Sequence, residues 1–195
     1  AYIMAPVVGM LLLWRLWGNW RAFWSASVRL FLPALLLGGL WWGRNIAVYE
    51  ALAPLASAAH NAIVVGQPRT GAWIDRFGLA GTLQALARTT FQSFWGQFGW
   101  MGVVMPSWTY RTLLLLSLLA GTGWLLRRWL APALTLPPAV GRALLLLVVL
   151  NVALYLGYNV TFVQHQGRYL FPSLIPLAIA FAIGLAAWAT PLVRR

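Results

Sequence analysis

Cysteine and lysine are both absent from this chain, and only two residues, Glu50 and Asp75, carry a carboxylate. Without cysteine there can be no disulfide, no thiolate metal site and no cysteine nucleophile. Two histidines, His60 and His165, are too few for a structural zinc site, and no metal or other cofactor is expected. Neither acid lies in a recognisable motif, no paired-carboxylate arrangement exists, and no glycine-rich phosphate loop follows a strand. General acid–base chemistry needs such groups in a pocket, so the chain offers no complete active site of its own, and its catalytic residues are unknown. The missing lysine leaves all 14 basic residues as arginine, a bias from which no mechanism is drawn.

What remains is mostly apolar. Of the 195 residues, 62% are hydrophobic and 8% charged, with a mean hydropathy of +0.77. A soluble domain of this length needs a far more polar surface. A membrane protein does not, provided that each spanning segment satisfies its own backbone as a helix. The net charge of +12 could indicate a nucleic-acid partner if it lay on a soluble basic face. Here the arginines punctuate apolar runs, which is how membrane topology is marked, so no nucleic acid is expected.

The expected fold is therefore all-α: a single transmembrane domain over residues 1–195, an integral membrane helical bundle of about five spans. The spans fall near 1–14, 24–42, 108–126, 143–163 and 169–189. The first is only about 21 Å long at 1.5 Å per residue, against a hydrocarbon core of roughly 30 Å. It has neither a basic flank nor a cleavage site, so it reads as a helix cut at its N-terminal end, with more chain upstream. Pro33 should kink the second span.

Residues 43–107 form one long outer loop containing both acids. Within it, Leu79, Leu83, Leu86, Thr90, Phe94 and Phe98 recur at helical spacing, with Gln84, Arg88 and Gln92 opposite. That pattern predicts an amphipathic interfacial helix over about 79–92. Pro54, Gly66, Pro68, Gly71 and Gly78 should break the stretch before it into short pieces.

Arginine sets the expected orientation. Arg15, Arg21, Arg29, Arg127, Arg128, Arg142, Arg194 and Arg195 fall on one side if the spans alternate. Short connections dominate the positive-inside rule, which makes that side, and the C-terminus, cytoplasmic in an inner (plasma) membrane. The 13 tryptophans support the map, since all but Trp73 cluster at the two expected interfaces.

Three places could bind a ligand. Arg44 and Asn45 end the second span, where a guanidinium can hold a phosphate bidentately or simply snorkel. The turn Gln164-His165-Gln166-Gly167-Arg168-Tyr169 packs two amides, an imidazole, a guanidinium and a phenol into six residues. It suits a polar headgroup or sugar-phosphate, and equally a solvated loop whose arginine anchors the next span. Asn151, Tyr155, Tyr158 and Asn159 make a polar stripe on one helix face, either interhelical glue or a cavity wall. The candidate ligand-binding residues, for lipid phosphate or sugar, are Arg44, Asn45, Asn159, His165, Gln166, Arg168 and Tyr169.

Three stretches also carry a resemblance. Trp41-Trp42-Gly43-Arg44-Asn45-Ile46-Ala47-Val48-Tyr49 is similar to a W-x-x-R-N-x-x-x-Y segment. Ser93-Phe94-Trp95-Gly96-Gln97-Phe98-Gly99-Trp100, followed by Met105-Pro106, is similar to S-F-W-x-x-F-G-W…P. Gln166-Gly167-Arg168-Tyr169-Leu170-Phe171-Pro172 is similar to Q-G-R-Y-L-F-P. In this order they resemble the C-terminal part of a family of bacterial multi-pass proteins related to the GT-C glycosyltransferases, the superfamily of protein O-mannosyltransferases and aminoarabinose transferases. One departure is that Tyr49 is followed by Glu50-Ala51-Leu52 where Gly-Asp-Pro is usual.

The resemblance implies transfer of a sugar from a polyprenyl-phosphate donor at the outer membrane face. It also implies a catalytic acid in a first outer loop upstream of this stretch. Arg44 and Arg168 would flank the donor phosphate and are expected to converge on one cavity. The competing reading is a non-catalytic structural subunit of a larger membrane complex, contacting lipids, pigments or other membrane subunits. A transporter fits less well, because no inverted repeat and no mid-membrane charge is found.

Overall fold

The computed structural model describes residues 3–49, 66–98 and 101–193. Glu50, Pro54, His60, Gly99, Trp100, Arg194 and Arg195 lie outside the described residues. The chain divides into two compact units, Ala1–Gln67 and Pro68–Arg195. Among the described residues nearly everything regular is helix, and the all-α expectation holds.

The first unit is a helical pair, α1 (Met4–Arg15) and α2 (Trp20–Tyr49). Gly18, at φ +84°, turns the chain between them. Asn19 then caps α2 by accepting the Ala22 N–H on its Oδ1 at 3.1 Å. Val7 and Ser27 are buried where the helices meet. Trp17, Trp20, Phe23 and Trp24 form a chain of ring contacts around the start of α2. Trp20–Val48 is long and apolar enough to cross a membrane, whereas α1 is short. α2 runs through Pro33 and reaches seven residues past position 42, because Ile46, Ala47 and Val48 contain no helix breaker. Arg44 and Asn45, expected at the start of a loop, are therefore on a helix.

The second unit begins with α3 (Thr70–Gly96), which bends at Gly78, where φ is +72° and ψ 165°. A short antiparallel pair follows, β1 (Gln97–Phe98) with β2 (Val103–Val104), in the register Gln97↔Val104 and Phe98↔Val103. Then come α4 (Ser107–Leu130), α5 (Pro138–Thr161), a 3-10 segment (Gly167–Ser173) and α6 (Leu174–Val193). Pro138 occupies the first turn of α5, where its missing N–H costs nothing. Ser107–Leu130, Pro138–Thr161 and Gly167–Pro191 are each long and apolar enough to span a bilayer. With Trp20–Val48 this makes four candidate spans among the described residues.

The helix expected over 79–92 is present within the longer α3, and its expected face packs from Leu86 onward. Thr90 bonds to Tyr155, Phe94 lies against Phe171, and Gln84 and Arg88 are exposed opposite, but the first turns do not follow the expectation. Leu79 and Leu83 are 59% and 52% exposed, while Thr82, Ser93 and Gly96 are buried. Hydrocarbon solvates leucine as well as a protein core does, so small residues mark the packed side.

The tightest packing joins α4 and α6, which run parallel with Ala120 against Gly184 and Gly123 against Trp188. A Cβ on Gly123 would lie 2.7 Å from the Trp188 ring, and the Gly184 carbonyl oxygen would be nearer still. Ala120 and Ala187 are almost fully buried beside them. The Trp188 indole N–H donates to the Leu119 carbonyl at 3.0 Å. Small residues let two backbones approach where lipid offers no hydrophobic drive.

Candidate functional site

The 164–169 turn is the most heavily organised part of the second unit. It is pinned from the α5 side by Asn159, which accepts the Gln164 N–H on Oδ1 at 2.9 Å and donates to the Tyr155 carbonyl at 2.9 Å. Thr70 donates to the Asn159 carbonyl at 2.8 Å, and the Val163 N–H reaches the Pro68 carbonyl at 2.9 Å. Arg69 lies over the Phe162 ring at 4.3 Å, and Tyr158 stacks on the same ring at 5.2 Å. The start of α3 is thereby fastened to the end of α5.

From the α3 side the pin is Gly167. Its N–H donates to Ser93 Oγ at 2.7 Å, and Ser93 in turn donates to the Thr89 carbonyl. A Cβ on Gly167 would lie 2.6 Å from Phe94 Cα, with the Thr90 carbonyl oxygen and the Phe94 nitrogen closer still. Only glycine permits this approach of backbone to helix. One turn below, the Thr90 and Tyr155 hydroxyls share a 2.5 Å hydrogen bond. Asn151 Nδ2 donates to the Leu170 carbonyl at 3.1 Å and to Ser173 Oγ at 3.0 Å. Phe94 meets Phe171 edge-on at 5.7 Å. The second and third of the resemblance-bearing stretches thus meet in space.

With Gly167 fixed against α3, the turn divides two cavities. Gln164 and Tyr169 face one of about 340 Å³, also lined by Asn151, Tyr155, Tyr158 and Asn159. Gln164 Nε2 donates to the Tyr169 hydroxyl there at 2.8 Å. Gln166 and Arg168 face the other, of about 320 Å³, together with Ser93, Gln97, Met101 and Phe171. Gln97 donates from Nε2 to the Met101 carbonyl at 3.3 Å, and its buried Oε1 has no hydrogen-bond partner among the described residues. A third cavity, apolar and about 630 Å³, runs among α3, α4, α5 and α6. Phe94 and Trp95 line both this apolar cavity and the one holding Arg168.

His165 is buried within the turn, 7% exposed, and burial holds its imidazole below the ordinary value of 6.5. Among the described residues no group of histidine and carboxylates could hold a metal ion. Asp75, the one carboxylate among those residues, is exposed on α3 and lines none of these three cavities.

Of the sequence-derived candidates, Asn159, His165, Gln166, Arg168 and Tyr169 all belong to this turn and its anchor. They do not share one cavity: Asn159 and Tyr169 line one side, Gln166 and Arg168 the other. Arg44 and Asn45 belong to the first unit, where the Arg44 guanidinium lies 5.3 Å from the Trp41 ring and bonds Asn45 Oδ1 at 3.5 Å. Sequence reasoning missed Ser93, Thr90 and Gln97 as members of the site. Ser93 and Gln97 sit inside the second resembling stretch, which was the available signal.

Fold and site together define a multi-pass helical membrane protein with ligand-sized polar and apolar cavities meeting at one end of its bundle. No protein-family model, curated protein or solved structure matches the chain.

Proposed function

We propose that this chain is the C-terminal membrane part of a GT-C-like glycosyltransferase, and that the Arg168 cavity and the apolar cavity beside it hold a polyprenyl-phosphate-linked sugar donor. The observation that carries the reading is that those two cavities lie side by side and share Phe94 and Trp95 in their walls. A polyprenyl phosphate is an apolar chain with one anionic head. The roughly 630 Å³ space, walled by Leu86, Phe91, Leu177 and Phe181, suits the chain. Arg168 offers a planar fork of donors to the phosphate, and Gln166 an amide beside it. Phe94 and Phe171, in edge contact, stand where head gives way to chain. The denser arginine on the opposite side of the spans supports this end of the bundle lying at the outer face of an inner membrane, with the C-terminus cytoplasmic.

Binding of a polyprenyl monophosphate to the full chain in nanodiscs tests the reading. A hydrogen bond to a charged group is worth about 1.5–3 kcal/mol, so Arg168→Gln should weaken binding by about tenfold or more. The uncharged polyprenol should bind wild type and variant alike. Equal affinity of both proteins for the phosphate would overturn the proposal and favour a non-catalytic subunit.

A further inference from the structure

The far end of α4 and the connection after it carry a second constellation whose arginines the donor reading does not use. α4 ends in Arg127 and Arg128, and the chain folds over at 131–137 with turn bonds from the Leu134 N–H to the Ala131 carbonyl at 2.9 Å and the Thr135 N–H to the Ala133 carbonyl at 3.0 Å. A cavity of about 430 Å³ opens there, lined by Leu125, Arg127, Arg128, Ala131, Leu134 and Thr135 among others.

Each guanidinium lies over an indole. Arg127 lies 4.3 Å from the Trp124 ring and Arg128 lies 4.0 Å from the Trp129 ring. Stacking uses the flat face of a guanidinium and leaves its in-plane N–H fork directed outward. Arg127 spends one donor, Nη1, on the Trp124 carbonyl at 2.7 Å, while the Arg128 fork has no hydrogen bond among the described residues. Neither arginine meets a carboxylate among those residues, where Asp75 on α3 is the only one. Two adjacent cations thus sit over indole rings at the rim of a cavity with no carboxylate among the described residues beside them, an arrangement that favours an anionic ligand.

We infer that this cavity binds the phosphodiester headgroup of an anionic glycerophospholipid from the leaflet in which α4 ends. Two features favour a lipid over a free anion. Leu118, Leu125 and Trp129, spaced seven and four residues apart, form an exposed stripe leading up α4 to the arginines, where an acyl chain can lie. The Thr135 side chain and the 131–137 backbone add neutral groups for the glycerol end of the headgroup. Basic pockets beside membrane helices recognise acidic headgroups in this way. Of the residues named, Trp124 also lines the apolar donor cavity, whereas Arg127, Arg128, Leu118, Leu125, Trp129 and Thr135 line neither donor cavity, so loss of the arginines here leaves the donor site itself intact.

The test uses the full chain in a neutral detergent, titrated with phosphatidylglycerol or phosphatidylcholine of identical acyl chains, adducts being counted by native mass spectrometry. A hydrogen bond from a guanidinium fork to a charged headgroup is worth about tenfold or more in affinity, so R127Q/R128Q should lower the preference for phosphatidylglycerol by at least about tenfold. R15Q/R21Q, which removes the same charge elsewhere, should leave the preference within about twofold. R127K/R128K keeps the charge that fixes topology but loses the fork, and should lower the preference several-fold even if the glutamine variant does not fold. Equal losses in R127Q/R128Q and R15Q/R21Q, or no loss in the lysine variant, would overturn the site. Displacement of the lipid by millimolar inorganic phosphate would overturn its assignment to a lipid headgroup.

Discussion

Replacing Gly167 by alanine probes the contact on which the whole turn depends. The new methyl would collide with backbone atoms: the Thr90 carbonyl oxygen, the Phe94 nitrogen and the Phe94 Cα, the last at 2.6 Å. No side-chain rotation relieves that, so either the turn or α3 must shift. Overpacking of this kind costs about 1–3 kcal/mol, and a backbone collision belongs near the upper end. The shift would also break the Gly167 N–H bond to Ser93 Oγ, whose loss strands a buried donor at a further 1–3 kcal/mol or so. Together these come to about 4–6 kcal/mol, and each kcal/mol lowers the midpoint by about 2–4 °C in a chain of this size, so G167A should unfold about 8–24 °C below wild type in detergent. S93A loses the bond without the collision and should fall between the two. The double variant G167A/S93A should cost less than the sum, because both changes act on one contact. A G167A midpoint within about 2 °C of wild type, with unaltered lipid binding, would refute the close approach.

G184A places a methyl 2.7 Å from the Ala120 carbonyl carbon, with its oxygen nearer, and should separate α4 from α6. Its unfolding midpoint should fall by at least as much as that of G167A, whereas G121A, with nothing within 4 Å of its Cβ, should leave the midpoint unchanged. Burial keeps His165 neutral in the folded protein by lowering its affinity for a proton. The stability this contributes should be complete above about pH 6.5, the unfolded value, and decline as pH falls below it. Unfolding midpoints of wild type and H165Q between pH 7.5 and 5 should therefore diverge, with only the wild type losing the added increment on acidification.

The spans were legible because a bilayer imposes a length and a polarity that few other folds share. Of the polar stripe Asn151, Tyr155, Tyr158 and Asn159, three were legible as an inward face, since polar groups avoid lipid, and are buried, whereas Tyr158 is exposed at 38% and stacks on Phe162. The packed face of α3 was legible only from Leu86 onward, where Thr90 and Phe94 turn inward as the spacing implies. Leu79 and Leu83 follow helical periodicity yet face outward, because in hydrocarbon an apolar side chain says nothing about which way it points. The tertiary reason for Gly167 was equally hidden: its need for no side chain arises from α3, about 74 positions earlier in the chain. Gln97 entered the site only through the β1–β2 pairing, two residues per strand, which is too short to leave a pattern. The end of α2 ran past its expected limit since Ile46, Ala47 and Val48 continue the helix, and hydropathy alone had stopped at the first charge.

Photolabelling with a polyprenyl monophosphate bearing a diazirine near its head tests the central claim most directly. Irradiation of the full chain in nanodiscs should place the label on Phe94, Trp95 or Phe171, with chain-borne label on Leu177 and Phe181, and R168Q should reduce the head-borne label by about tenfold or more. An equivalent diazirine polyprenol without phosphate should label the apolar wall and be indifferent to R168Q. Label spread over the exposed leucines of α2 and α4, unchanged by R168Q, would contradict a donor site at this turn.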